Sequence, residues 1–181
     1  MSATPADAYA AATRTYLAGQ RLDMRQLAGE LGVSRNTLYR WTGGRERLIQ
    51  DVAWALSDAV IADIWSRTAR RRGSSRLLEA LRQYVVTIVE SSALQSFVRN
   101  ETQTALRLLT SRGPFQDRLV DRVRSLIDEE AARGDWRPRS DTGVLAYGIV
   151  RLIEGFVYND ATLQDDPAVD DALAVIRLLL T

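Results

Sequence analysis

The stretch DMRQLAGELGVSRNTLYRWTGGRERL, residues 23–48, is typical of two short helices joined by a tight turn. Leu27 and Leu31 recur at helical spacing and predict one buried helix face. Gly32 can end this helix in the left-handed conformation, and Ser34 can cap the next helix with its hydroxyl. Turn, caps and apolar anchors agree, so the stretch predicts a helix-turn-helix.

The second helix, predicted from about Arg35 to Trp41, carries side chains suited to DNA. Leu38 is its apolar anchor, which leaves the polar side chains to face outward. Arginine can bond to a guanine edge, asparagine to adenine, and tyrosine or arginine to phosphate oxygens. The first residues of such a helix lie nearest the bases in the major groove. We expect base contacts from Arg35, Asn36 and Thr37, and backbone contacts from Arg25, Tyr39, Arg40 and Arg45.

The segments GVS, TLYRW and GGRERL, in this order and without gaps, resemble the N-terminal signature of the TetR family of bacterial transcription regulators. The resemblance implies an all-α chain of about nine helices, an N-terminal three-helix DNA-binding domain, a C-terminal domain that binds a small effector, and a homodimer. Residue by residue, it implies base contacts for Arg35, Asn36 and Thr37 and phosphate contacts for Thr37, Tyr39, Trp41 and Arg45.

Two positions depart from the family pattern. The family usually has an aromatic residue where this chain has Thr42, and a lysine where it has Arg45. The second change keeps the charge, while the first alters the packing of the corner. The segments FVRNETQTALRLLT and RLIEGFVYND are similar to the QsdR-type branch of the family.

The remaining sequence predicts helices with short connections. We expect a helix-turn-helix DNA-binding domain over residues 1–48 and an effector-binding and dimerisation domain over residues 49–181. The later helices are predicted at about Arg45–Arg72, Arg76–Ser92, Leu94–Ser111, Phe115–Arg133, Asp141–Asp160 and Ala168–Leu180.

Composition excludes several classes of protein. The 181 residues include no cysteine and no histidine, which excludes disulfides, cysteine or histidine nucleophiles and the usual zinc sites. We expect no cofactor, no metal and no enzymatic activity. The first 50 residues carry seven arginines against four acidic residues, although the net charge of the chain is only +1. No signal peptide or membrane span is visible, so we expect a cytoplasmic protein without a membrane partner.

The last two predicted helices carry more apolar side chains than a single buried face of each helix can accommodate. The helix from Asp141 is apolar nearly all round, and the last helix carries more leucines than one face can bury. We expect these helices to pair with their copies in a four-helix dimer interface. A monomer with a thick two-layer core is the alternative.

An effector pocket is predicted from stripes of aromatic, apolar and polar residues on three helices. The alternative is that Arg151 and Glu154 form a structural ion pair or an interface contact, with Tyr84 and Phe97 as ordinary core. The pocket candidates are Tyr84, Ile88, Phe97, Glu101, Leu108, Tyr147, Arg151, Glu154 and Tyr158.

These observations predict a dimeric regulator, a repressor that binds double-stranded DNA at an inverted repeat and is released by a small-molecule effector. Two other functions remain open. One is an enzyme that uses Glu101 or Glu154 as a general base. The other is a DNA-binding protein without effector control, which would show a strong salt dependence and little sequence preference.

Overall fold

The computed structural model describes residues 3–156 and 168–181, and this part of the chain is all-helical. The fold prediction is confirmed. The described residues form ten helices: α1 Pro5–Leu17, α2 Met24–Glu30, α3 Arg35–Thr42, α4 Arg45–Arg67, α5 Gly73–Val89, α6 Ser92–Asn100, α7 Thr102–Thr110, α8 Pro114–Ala132, α9 Thr142–Glu154 and α10 Val169–Leu180. None of these helices is long and apolar enough to cross a membrane.

The helix-turn-helix forms where the sequence predicts it, because its local signals are satisfied. The Asp23 carboxylate accepts from the backbone N–H groups of the first turn of α2 at 2.7 and 3.0 Å. The Ser34 hydroxyl accepts from the backbone N–H of Thr37 at 3.1 Å and caps α3. Gly43 ends α3 in the left-handed conformation, with a φ of 68°, which favours glycine. Leu38 is fully buried beneath α3.

Two predicted helices end or break differently. The single helix expected over Leu94–Ser111 is divided into α6 and α7 at Glu101, whose φ of −137° and ψ of 46° leave the helical region. The helix expected to reach Arg72 ends at Arg67, where the Thr68 hydroxyl donates to the Ile64 carbonyl oxygen at 3.0 Å. The predicted end of α9 at Asp160 lies outside the described residues.

The long helix α4 joins two apolar cores. Its first half packs with α1–α3, α6, α7 and the start of α8, and buries Leu48 and Val52. Its second half packs with α5, α8, α9 and α10, and buries Ile61 and Ile64. The helix-turn-helix is therefore connected to the C-terminal helices through one continuous, largely buried helix.

A buried polar cluster fixes the end of α4 against α5 and α8. Arg76 donates to Glu130 at 2.9 Å and to the Trp65 carbonyl oxygen at 2.8 Å, and its guanidinium lies 3.5 Å from the centre of the Trp65 ring. Glu130 also accepts from the backbone N–H of Gly73 at 2.9 Å and from Arg133. Burial acts to raise the pKa of Glu130, but these hydrogen bonds outweigh it and the pKa is lowered. Glu130 is therefore an ionised carboxylate that joins α8 to α5, and Arg76 extends the cluster to α4.

Replacing Glu130 by Gln should strongly destabilise the fold, because Arg76 would be left without a counter-charge in a buried site. We expect the free energy of unfolding to fall by about 3 kcal/mol or more. Urea unfolding followed by circular dichroism measures this. Asp128→Asn, in the exposed Arg124–Asp128 pair of the same helix, is the control and should cost no more than about 0.5 kcal/mol. Equal losses in the two variants would contradict the role given to Glu130.

Candidate nucleic-acid interface and ligand cavities

The outer face of α3 presents polar side chains to solvent. Arg35, Asn36 and Arg40 are exposed, and Tyr39 is 49% exposed. Thr37 is half-buried, and its hydroxyl lies 2.9 Å from the Ser34 hydroxyl. This face can enter a major groove without any rearrangement of the helix.

The arginines of this surface are available to phosphate groups. Arg25 is exposed in the first turn of α2, and within the described ranges no acidic side chain forms an ion pair with Arg25, Arg35 or Arg40. Trp41 is half-buried and packs against the N-terminal core, so only part of its ring is free. Unpaired guanidinium groups on one face give the positive potential that a DNA backbone needs.

Thr42 closes the corner after α3 without an aromatic ring. Its hydroxyl donates to the Leu38 carbonyl oxygen at 2.9 Å and accepts from the backbone N–H of Gly44 at 3.4 Å. Thr42 is almost fully buried. Hydrogen bonds to the backbone thus replace aromatic packing at this position.

Arg45 has a different environment from the other predicted DNA contacts. Its Nε donates to the Leu22 carbonyl oxygen at 2.7 Å, and its Nη2 forms an ion pair with Glu101. Its side chain is only 25% exposed, and that of Glu101 is 7% exposed. The structure brings a predicted phosphate contact and a predicted pocket residue together as one link between the start of α4 and the α6–α7 break.

A second contact reinforces this link. Asn100 donates from Nδ2 to the Gly19 carbonyl oxygen at 3.3 Å. Gly19 has a φ of 67°, and a Cβ added to it would lie 2.9 Å from Ser96, so α6 lies directly on the loop between α1 and α2. The C-terminal helices therefore contact the DNA-binding part at the loop that precedes α2.

Four of the pocket candidates line one or both of two neighbouring cavities. Tyr84 and Ile88 line both of them. The first, here called the core cavity, lies among α4, α5, α8 and α9, includes Glu154, and has a volume of about 30 Å³. The second, here called the cleft, lies between α1, α4, α5 and α6–α8, includes Leu108, and has a volume of about 160 Å³. Because one water molecule needs about 10–15 Å³ on this scale, the core cavity has the volume of about two waters, and the cleft has room for a small organic molecule.

Glu154 is the one carboxyl side chain among the described residues that line the core cavity. Arg151 donates to it at 2.6 Å and to the Gln116 side-chain oxygen at 2.8 Å, which is the ion pair that the sequence left as an alternative. Burial raises the pKa of Glu154 to about 7, and the charge of Arg151 opposes this rise only in part. The carboxyl is therefore partly protonated near neutral pH.

The remaining candidates lie elsewhere. Tyr147 is 47% exposed, with the Arg151 guanidinium 5.3 Å from its ring centre. Phe97 packs against Tyr16 with ring centres 5.5 Å apart, and together with Glu101 it borders a void of only about 10 Å³. Tyr158 lies outside the described residues. Sequence analysis missed Tyr16 and Ser57 in the cleft, because neither shares a helix with the predicted pocket stripes.

An all-helical chain with an N-terminal helix-turn-helix and a separate helical core defines the class of helix-turn-helix transcriptional regulators. Residues 72–181 match the family model described as the C-terminal domain of tetracycline repressor-like proteins. The chain therefore belongs to the TetR family of transcriptional regulators. A comparison with curated proteins finds no match.

Two solved structures have the same fold. The TetR-family transcriptional repressor QsdR of R. erythropolis is 24% identical, with 97% of this chain and 93% of that chain covered and a TM-score of 0.91. A protein from Rhodococcus sp. RHA1, described as a transcriptional regulator, is 18% identical, with 98% and 94% covered and a TM-score of 0.62. At these identities the similarity establishes the fold alone.

The Arg45–Glu101 pair should couple the two parts of the molecule energetically. A double-mutant cycle with Arg45→Gln and Glu101→Gln should give an interaction free energy of about 1–2 kcal/mol, because the pair is mostly buried. Thermal or urea unfolding of the four proteins measures it. The exposed Arg107–Glu46 pair, 3.4 Å apart, links α4 to α7 in the same region and is the matched control. Its coupling should stay below about 0.5 kcal/mol, and a similar value for both pairs would refute the link.

Proposed function

We propose that this regulator is a repressor that binds an inverted-repeat operator as a homodimer and releases it when a small-molecule effector binds. The observation that carries the proposal is the exposed, unpaired face of α3, with Arg35 and Asn36 at its N-terminal end. Residues 1–48 are the DNA-binding part in this proposal, and residues 49–181 bind the effector and the second subunit. The protein acts in the cytoplasm, where it meets its operator.

Base recognition is assigned to the first turn of α3. Arg35 can donate two hydrogen bonds to a guanine, Asn36 can pair with the edge of an adenine, and the Thr37 methyl can contact a thymine. Phosphate contacts are assigned to Arg25, Tyr39, Arg40 and Trp41. Arg45 acts in this scheme mainly by holding the Leu22 carbonyl oxygen, and with it the loop before α2.

Dimerisation is assigned to α9 and α10, because both carry large apolar side chains on the surface of the described chain. Val144 is 64% exposed on α9, and Leu178 is 74% exposed on α10. Tyr147 and Val175, at 47% and 36%, extend the same helices. Two copies of these helices would form a four-helix interface and hold two recognition helices about 34–36 Å apart.

Effector control is proposed as a shift between two arrangements of the helices around Tyr84. A ligand that fits only one arrangement moves the equilibrium by its difference in affinity for the two. The link from Glu101 to Arg45 and the Leu22 carbonyl oxygen offers a route from α6 and α7 to the loop before α2. An enzymatic role has less support, because Glu101 and Glu154 are both paired with arginines and the family is one of regulators.

Selection of random duplexes by the purified protein should enrich an inverted repeat. The Arg35→Ala/Thr37→Ala/Tyr39→Ala variant should lose this enrichment, because it removes base and phosphate contacts together. High-throughput sequencing of the bound fraction at one fixed salt concentration measures both.

The control for the selection is Arg99→Ala/Thr102→Ala/Thr110→Ala, which removes exposed polar side chains of α6 and α7 away from α3. It should select the same sequence as the parent protein. If the parent protein enriches no sequence at low salt, operator binding is refuted. If it enriches single half-sites, the proposal that it binds DNA as a dimer is refuted.

Leu178→Glu should convert the dimer into a monomer, because it places a charge in the centre of the proposed apolar interface. Sedimentation velocity at micromolar concentration measures the change. Leu17→Glu changes an equally large leucine that is 54% exposed on α1, and it should leave the dimer intact. If the parent protein sediments as a monomer, α9 and α10 do not form the interface.

A further inference from the structure

The cleft lies between the DNA-binding part and the C-terminal helices. Tyr16 and Leu17 of α1 form one wall, Ser57 of α4 lies on another, and Tyr84 and Thr87 of α5 face them. Leu17 is 54% exposed at its edge. A molecule in the cleft would therefore touch α1 directly, whereas the described residues that line the core cavity belong to α4, α5, α8 and α9.

The hydroxyl groups that line the cleft differ in their hydrogen bonds. The Thr87 hydroxyl donates to the Gln83 carbonyl oxygen at 2.7 Å, and the Ser91 hydroxyl accepts from the Leu94 backbone N–H at 3.3 Å. Burial raises the pKa of Tyr84, and Ser57 opposes this rise as a nearby hydrogen-bonding group. The Tyr16 hydroxyl forms no hydrogen bond within residues 3–156 and 168–181, and Tyr16 is half-buried. Its O–H is therefore free to donate to a molecule in the cleft.

Tyr16 can serve as a hydrogen-bond donor at any physiological pH. Burial raises its pKa to about 12, so the phenol keeps its proton. A group that fills the cleft and satisfies this hydroxyl must therefore present an acceptor such as a carbonyl or ether oxygen.

The charge of the occupant follows from the lining. No acidic or basic side chain of the described residues lines the cleft, so an ion placed there would lose its hydration without gaining a counter-charge. The size follows from the volume of about 160 Å³, because an apolar cavity of about 150 Å³ accommodates benzene. These two constraints favour a neutral molecule of about one ring with a short substituent.

We propose that the cleft is the effector site and that it binds a neutral, ring-sized molecule with a hydrogen-bond acceptor directed at the Tyr16 hydroxyl. The binding part of the proposal stands on the geometry of the cleft alone. Its regulatory part rests on the proposed function. The occupant would change how α1 packs against α4, and this would change the position of the helix-turn-helix.

The probe is acetophenone, a neutral ring with one carbonyl acceptor. It should bind the protein with a Kd of roughly 0.1–1 mM, and methyl NMR shifts measured during titration should include Leu17, Leu56 and Leu108. Benzoate, which has the same ring and a charge, should bind at least about tenfold more weakly. Ethylbenzene, which lacks the acceptor, should bind roughly three- to tenfold more weakly.

Three variants assign the binding site. Ser57→Leu fills the cleft and should abolish acetophenone binding. Ala80→Val adds similar bulk to the core cavity alone and should leave binding unchanged. Tyr16→Phe keeps the ring but removes the hydroxyl, so it should weaken acetophenone by about three- to tenfold while leaving ethylbenzene unaffected. Thermal unfolding confirms that each variant is folded.

The outcomes separate this proposal from operator binding. Absence of acetophenone binding at about 10 mM, loss of binding in Ala80→Val but not in Ser57→Leu, or equal binding of benzoate would each overturn the assignment of the cleft. These titrations contain no DNA, so their results can be interpreted even if the operator selection fails. With a selected operator in hand, acetophenone should lower operator affinity in the parent protein and not in Ser57→Leu, and unchanged affinity in the parent protein would overturn the regulatory part.

Discussion

The structure depends on an apolar core that the DNA-binding helices cannot complete by themselves. Helices α1–α3 are short, and a unit of this size buries too little apolar surface to be stable alone. Their core residues Leu27 and Leu38 pack in one cluster with Phe97, Leu108 and Phe115 from α6–α8. The boundary proposed at residue 48 therefore divides two functions but not two cores. Any change in α6–α8 reaches the recognition helix through shared packing.

Polar contacts fix the geometry of the same contact region between the helix-turn-helix and α6–α8. Apolar packing has no direction, whereas the Arg45–Glu101 pair and the hydrogen bond from Arg45 to the Leu22 carbonyl oxygen define one position of the loop before α2. Tyr16 lines both the cleft and the small void that Leu22 and Glu101 border, so it connects the cleft to this ion pair. Close-packed interfaces change between discrete arrangements rather than deforming gradually. A void lined by both α1 and the C-terminal helices is thus a suitable place for a small molecule to select one arrangement.

The sequence was sufficient to predict those structural features that depend on residues close together in the chain. Caps such as Ser34, the left-handed Gly43 and the spacing of apolar residues act within one or two helical turns, so the helix-turn-helix and the all-α class could be predicted. The break between α6 and α7 at Glu101 could not be predicted, because its partner Arg45 lies 56 positions away in the chain. The same limit applies to the cavities. Periodicity identified the stripe with Tyr84, but no local signal shows that Tyr16 of α1 faces it across the cleft.

The two cavities are not independent, because Tyr84 and Ile88 line both of them and form a shared wall. A movement of either side chain into one cavity adds volume to the other. The core cavity contains Glu154, whose raised pKa depends on its burial, so water admitted there would lower that pKa and favour the charged carboxylate. A neutral occupant of the cleft that moved the wall toward the core would exclude water from Glu154 and favour its protonated form. The protonation state of Glu154 would thus depend on the occupancy of the cleft, although no acidic or basic side chain of the described residues lines the cleft itself.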